Sequence, residues 1–408
     1  MRPRLQEPDL IAAVVAAGPR VPFAAVARVL GSLPESKVNR DRIARAVRKV
    51  VPLRGPNGAL FRTLELPSAR GADQKVCVVN PGACATLYSQ SSDEFWSNLK
   101  LAKQHADQGA GFLGLLFYSD VATGGNVLNP TKSREAECVY WSIAEFGDEL
   151  LGHVEYWMPL TYVQGKVEQT IDGKLSALFT LILSDFFFTD GSDSWRVRVY
   201  GRGEVLDLEF RTYGVIPDES AMSSLKCTKG PSGRKPCHKC CNLVLTSQRL
   251  RGADLTDLNC TDARQLQPLT DPMLFEAWDR MSVMPRGELK EFQKDIGYTW
   301  HPRSFLSMPS LRGRCISPCN HFFDDAMHTY LASNGIACSE LIQLEEAAMA
   351  NNENITTSSL AHLASQGWRC WGGVQSSSQQ WFEERCMQSS RTAGYYKGTA
   401  SVILPIRA

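Results

Sequence analysis

The chain has no long apolar run. Nowhere do roughly 18 apolar residues follow one another, so no segment is expected to cross a membrane as a helix. Charge of one sign is also missing: a net charge of +1 over 408 residues removes any argument for nucleic-acid binding from overall charge. Any basic footprint must be local. There is no internal repeat, which sets aside solenoid and propeller arrays. A secretory leader is not expected either. Arg2 and Arg4 precede an apolar stretch after Asp9, but Gly18 and Pro19 break it and no cleavage pattern follows. What the chain does have is 13 cysteines, scattered and odd in number. That usage reads as a reducing compartment, nuclear or else cytoplasmic, with thiols free or on metal.

Length and a hydrophobic content of 43% predict two or three folded domains. Residues 1–52 read as a helical module with a helix-turn-helix pattern, in which Arg42 and Arg45 lie on a basic amphipathic segment. A solvated basic face on a three-helix bundle is the competing reading. Residues 53–90, with Pro56 and Pro67, read as a linker. Residues 91–242 carry a helix around Ser91–His105 and short apolar runs at Gly111–Ser119, Cys138–Ile143 and Trp157–Val163. A helical stretch Glu168–Phe188 and alternating runs at Trp195–Tyr200 and Val205–Ile216 complete that part. The fold class is therefore α/β. Residues 243–350 read as mainly helical, clearest at Phe275–Met284 and Glu288–Ile296, and residues 351–408 as a degraded or truncated tail.

Four constellations carry the chemistry. Asp120 leaves an apolar run and is followed by Gly124, Gly125 and Asn126; Asp218 leaves another. Strand-end carboxylates are fixed by a sheet and suit a hard cation such as Mg²⁺. Two of them on neighbouring strands can share two metals about 3.5–4 Å apart. The bland reading of each acid is a turn former or helix cap. Cys237-x-x-Cys240 is half of a zinc site, with a redox dithiol and incidental thiols as the other readings. Lys226, Lys229, Arg234, Lys235 and Lys239 surround it and could meet a phosphate backbone, or simply solvate a loop. Asp325 and His328, three apart, could complete the zinc set, while Cys315, Cys319 and His321 compete as ligands.

In this order, Asp120, Asp218, Thr228-Lys229-Gly230 with Cys237-x-x-Cys240, and Asp325-Ala326-Met327-His328 resemble the core of CACTA and Plavaka-like cut-and-paste DNA transposases. Tyr118-Ser119-Asp120 through Gly125-Asn126-Val127-Leu128, and Tyr140-Trp141-Ser142 with Glu145-Phe146-Gly147, are similar to blocks of transposon-borne reading frames. The likeness spans roughly residues 90–350. It implies an RNase H-like mixed sheet with a zinc-stapled, mainly helical insertion, and a DDE/D mechanism. Asp120 and Asp218 would be the first and second Mg²⁺ ligands. Cys237, Cys240 and His328 would hold structural zinc, with Asp325 as ligand or orienter. DNA would be the partner, with a homo-oligomer acting on it and no small-molecule substrate. The third acid has no motif in this chain, so a truncated protein with an incomplete catalytic set is expected; Glu340, Glu345 and Glu346 are the candidates after His328. The alternative is a non-catalytic, zinc-containing protein that binds nucleic acid or another partner.

Overall fold

The computed structural model describes residues 54–123, 135–189, 191–244, 256–257 and 263–324. The modules expected over 1–52 and 351–408, and with them Arg42, Arg45, Asp325, His328, Glu340, Glu345 and Glu346, lie outside the described residues. A minimal hairpin, Arg54–Gly55 on Gly58–Ala59, precedes β1 (Phe61–Leu66) and β2 (Gln74–Val79). Then come α1 (Pro81–Ser91), α2 (Asp93–Gln108), β3 (Leu113–Thr123), β4 (Glu135–Ile143) and β5 (Met158–Gln164). They are followed by α3 (Lys174–Ile182), β6 (Trp195–Gly201), β7 (Glu204–Pro217) and α4 (Glu219–Lys226). Two further helices, α5 (Asp271–Ser282) and α6 (Arg286–Ile296), form a layer beyond them. The result is a mixed α/β fold.

One sheet of seven strands organises it, in the order β1-β2-β5-β4-β3-β7-β6. Every neighbouring pair is antiparallel except β3 and β7. Only the first half of β7, up to Phe210, pairs with β6. Beside its second half, His321–Phe323 takes the next place: the Val215 N–H donates to the His321 carbonyl at 2.6 Å and the Phe323 N–H to the Val215 carbonyl at 2.9 Å, in parallel sense.

The region expected as a linker, 53–90, instead builds β1, β2 and α1. Its prolines sit outside the paired residues, and Asn80-Pro81 starts a helix: the Asn80 side chain accepts from the Gly82 and Ala83 N–H groups. Small residues let α1 bury nearly all round. A Cβ on Gly82 would come within 2.9 Å of Val197. Helix α1 packs on both β6 and β5, which are four places apart in the sheet. Flat, those strands would stand about 19 Å apart, too far for a helix about 10 Å wide to touch both, so the sheet curls around it.

The stretch Glu168–Phe188, expected as one helix, is interrupted. Gly173, at φ 91°, starts α3, and a π-helical turn Leu183–Phe187 follows it. That turn drives Phe187 into the core. The Phe117 ring meets Phe179 and Phe187 edge-on, each at 5.2 Å, and Trp141 meets Phe187, Trp195 and Phe210. The face of the sheet carrying Phe117 and Trp141 is thus filled by aromatic side chains.

Helix α6 ends on Gly297 at φ 77°, the left-handed cap that glycine adopts without strain. The Gly297 carbonyl accepts from the Lys229 N–H at 2.8 Å, and a Cβ here would run into the Lys235 carbonyl. Gly297→Ala is therefore expected to cost about 1–3 kcal/mol, read as a lower urea midpoint, and to loosen the loop 229–235. An unchanged midpoint would contradict it.

Candidate active site at the ends of two parallel strands

The parallel pair delivers the two sequence-predicted acids to one end of the sheet. Leu113–Ser119 runs beside Phe210–Pro217, with Ser119 opposite Pro217, so Asp120 and Asp218 are the next residue on each strand. The Asp218 N–H donates to the Ser119 carbonyl at 3.1 Å. Beyond that point the two side chains part. Asp120 remains paired, opposite Cys138 of β4, and alternation puts it on the face of Tyr118. The Tyr118 hydroxyl donates to its Oδ2 at 3.5 Å. Asp218 instead caps α4: its Oδ1 accepts from the Ala221 N–H at 2.6 Å and from the Ser220 hydroxyl at 3.2 Å.

Two more acids stand at this end of the sheet. Val139 lies opposite Ser119, and Glu137 lies two residues earlier on β4, so Ser119 and Glu137 occupy the Phe117 face as diagonal neighbours. Glu168 is buried; its Oε1 accepts from the Leu175 N–H at 3.1 Å, an end-of-helix donor of α3, and from the Ser224 hydroxyl at 3.3 Å. Burial pushes the Glu137 carboxyl up to about 7, helped by the negative charges of Asp218, Glu168, Asp120 and Glu135. The Glu137 Oε2 and the Ser119 Oγ are both shut off from solvent, with no hydrogen-bond partner among the described residues. Glu137 and Glu168 were not singled out from the sequence. The available signal was a glutamate at the same strand parity as Val139, Trp141 and Ile143, on a run otherwise buried.

The paired thiols form a knuckle. The Lys239 N–H donates to the Cys237 Sγ at 3.3 Å, and the loop docks on 267–269 through the Cys241 N–H to Gln267 and the Leu269 N–H to Lys239. Burial and the neighbouring Cys237 and Cys241 raise the Cys240 thiol to about 11. The competing ligands are occupied in other ways. Cys315 is buried with its Sγ near the Ser310 and Ser192 carbonyls, and the His321 Nδ1 accepts from the Ser317 N–H at 3.0 Å. Burial and hydrogen bonding to Asp271 raise the Cys319 thiol to about 12. No group of three or more His, Cys, Asp and Glu residues stands ready to hold a metal among the described residues.

The basic cluster divides. Lys226 is 1% exposed, its Nζ 5.3 Å from the Phe322 ring centre and 3.5 Å from the His238 carbonyl, so it cannot present charge to a phosphate backbone. The cause is local: α4 buries Ala221, Met222 and Leu225, and Lys226 follows them inward. Arg234 is held by Asp295 and by Glu291 at 3.2 Å. Lys229 and Lys235 are half-buried and Lys239 is exposed. A cavity of about 490 Å³ lies elsewhere, lined by Tyr88, Glu94, Phe95, Glu149, His153 and Tyr156, and takes in none of the acids or thiols above. No protein-family model matches the chain, and a search of the curated proteins finds no match to it.

Proposed function

We propose that this chain is a transposase-like protein of the DDE/D type, built for metal-dependent phosphodiester cleavage at the ends of β3 and β7. The observation that carries the reading is the parallel β3/β7 pair, which sets Asp120 and Asp218 side by side at one end of the sheet. The strand order supports it: β5-β4-β3-β7, followed by the parallel segment His321–Phe323, is what an RNase H-like core requires. The donors are hard carboxylate oxygens, the kind Mg²⁺ takes one or two of while keeping several waters. When bound, Mg²⁺ would supply activation of water and charge relief at the leaving oxygen. The chain's own part is to hold Asp218 by the cap of α4 and Asp120 within the β3–β4 ladder. DNA is the partner on this reading, the nucleus the place, and a homo-oligomer the working form. Among the described residues no helix is long and apolar enough to cross a membrane.

Zinc belongs to the same reading. The Lys239 N–H to Cys237 Sγ bond is the geometry of a metal knuckle. Cys237 and Cys240 would bind as thiolates, with His328 and Asp325 as the resemblance implies. A specific observation favours the second reading, a zinc-containing binding protein without catalysis: the Asp120 and Asp218 side chains diverge as the strands end.

One experiment separates the two. Purified protein is analysed for zinc and tested for Mg²⁺-dependent nicking of DNA ends, alongside Asp120→Asn, Asp218→Asn and Cys237→Ser. The transposase-like reading expects zinc in all but Cys237→Ser. It also expects nicking reduced at least about a hundredfold in either Asp variant, the scale of losing a main transition-state contact. Zinc without nicking leaves the binding protein. Neither zinc nor nicking removes both.

A further inference from the structure

The geometry points to a divalent-cation site on the Phe117 face of the sheet, built by Glu137 and Ser119 with Asp218 across from them. Ser119 is 1% exposed, and its hydroxyl has no partner among the described residues. The Glu137 Oε2 on the same face is equally shut in and equally unpaired. Two buried oxygens left without donors on one patch of sheet are rare in a folded protein, and an ion or a water is the usual occupant. The charges decide between those two. The leading charges that bear on Glu137 are acids: Asp218 from the β7–α4 junction, Glu168 before α3, Asp120 on β3 and Glu135 on β4. A water would leave that negative field unbalanced, whereas a cation answers it and both unpaired oxygens together.

The donor set selects the ion. Carboxylate and hydroxyl oxygens without nitrogen or sulfur suit Mg²⁺ or Mn²⁺, and Mg²⁺ commonly binds through only one or two carboxylates while keeping its waters. That agrees with the lack of a preformed cluster of three or more acids, His or Cys among the described residues. Asp218 has its Oδ1 occupied by the cap of α4, and no bond to Oδ2 is seen, so that oxygen can turn toward Glu137. Glu168 is fixed through its Oε1 by Leu175 and Ser224 and adds its charge to the same field. Asp120 is on the other face with Tyr118 and is outside this set. The assignment rests on the phosphodiester reading only through Asp218, which both use. It makes Glu137 the carboxylate partner of Asp218, in place of a glutamate after His328.

The test uses the full chain, freed of metal by a chelator and titrated with Mn²⁺ by electron paramagnetic resonance. Wild type is expected to bind Mn²⁺, Glu137→Gln to bind at least about tenfold more weakly, and Ser119→Ala to weaken binding by a smaller factor. Asp120→Asn, prepared alongside, reports on the phosphodiester reading through its nicking and is not a control for this site. Thermal melts of each variant confirm folding, and Ser119→Ala carries the test if Glu137→Gln fails to fold. Wild-type Mn²⁺ affinity retained in both Glu137→Gln and Ser119→Ala would overturn the site, as would no Mn²⁺ binding by wild type. Nicking measured on the same samples keeps the two readings apart. Cleavage that survives Asp120→Asn counts against the phosphodiester reading alone, and Mn²⁺ binding that survives at Glu137 and Ser119 counts against this site alone.

Discussion

Glu137→Gln is expected to stabilise the metal-free fold at pH 8 and to leave it almost unchanged at pH 5. The carboxyl of Glu137 titrates at about 7 in the fold against an ordinary value of 4.5, raised first by burial and then by Asp218, Glu168, Asp120 and Glu135. The folded chain therefore holds this proton more tightly than the unfolded one between those two values. Stability from this group is intact below pH 4.5 and falls as pH rises through 7, where the charge must be carried inside. Discounted for the part of the side chain still open to solvent, the penalty is on the order of 2 kcal/mol. Glutamine keeps the shape and never ionises. Urea midpoints at pH 5 and pH 8 in chelator should fall for wild type and stay level for the variant. Parallel curves for the two proteins would sink the argument. Added Mn²⁺ should narrow the gap at pH 8, because a bound cation offsets the same charge.

Trp141→Ala is expected to cost about 3–5 kcal/mol, a large fraction of the stability of a typical domain. Trp141 is fully buried on β4, with ring centres of Trp195 at 5.5 Å and of Phe187 and Phe210 at 6.1 Å. It joins strands β4, β6 and β7 with the π-helical turn after α3, so no single element can relax into the hole. Trp141→Phe should behave differently. The indole Nε1 is buried with no acceptor among the described residues, so phenylalanine removes an unsatisfied donor along with some volume. A loss under about 1.5 kcal/mol is expected for this exchange of one aromatic for another. Denaturant melts followed by circular dichroism would check both, and equal losses in the two variants would show that the ring's size, not its setting, dominates.

The strands that position the acids were legible because their apolar runs end abruptly. Gly111–Ser119, Cys138–Ile143, Trp157–Val163, Trp195–Tyr200 and Val205–Ile216 all fall on β3 to β7. Helices α5 and α6 were readable from apolar spacing. The partners of Asp218 were not. Alternation tells which residues share a face but not which face a helix will cover, and Glu137, just before the run Cys138–Ile143, drew no reading. The β3/β7 register also shifts between Leu115 and Leu116, which no local pattern announces. The stretch 53–90 was misread because its prolines and glycines mark turns, and the short runs between them pair with strands far along the chain: Val78 sits opposite Thr161. Lys226 misled for a related reason. Charge on a short amphipathic helix is assumed to face water, but here the next layer, Phe322, closes over it.

The placement of His321–Phe323 beside β7 has a consequence during synthesis. Strand β7 can pair with β3 and β6 as soon as Pro217 has emerged, but the outer side of its second half stays open until residues 218–320 have followed. For that interval a nascent chain carries a bare edge from Arg211 to Pro217, the sort of edge that recruits strands from other chains. Shortening that interval by relocating residues 321–323 upstream would protect the edge, and the strand carrying Asp218 would finish folding before the thiol knuckle is made.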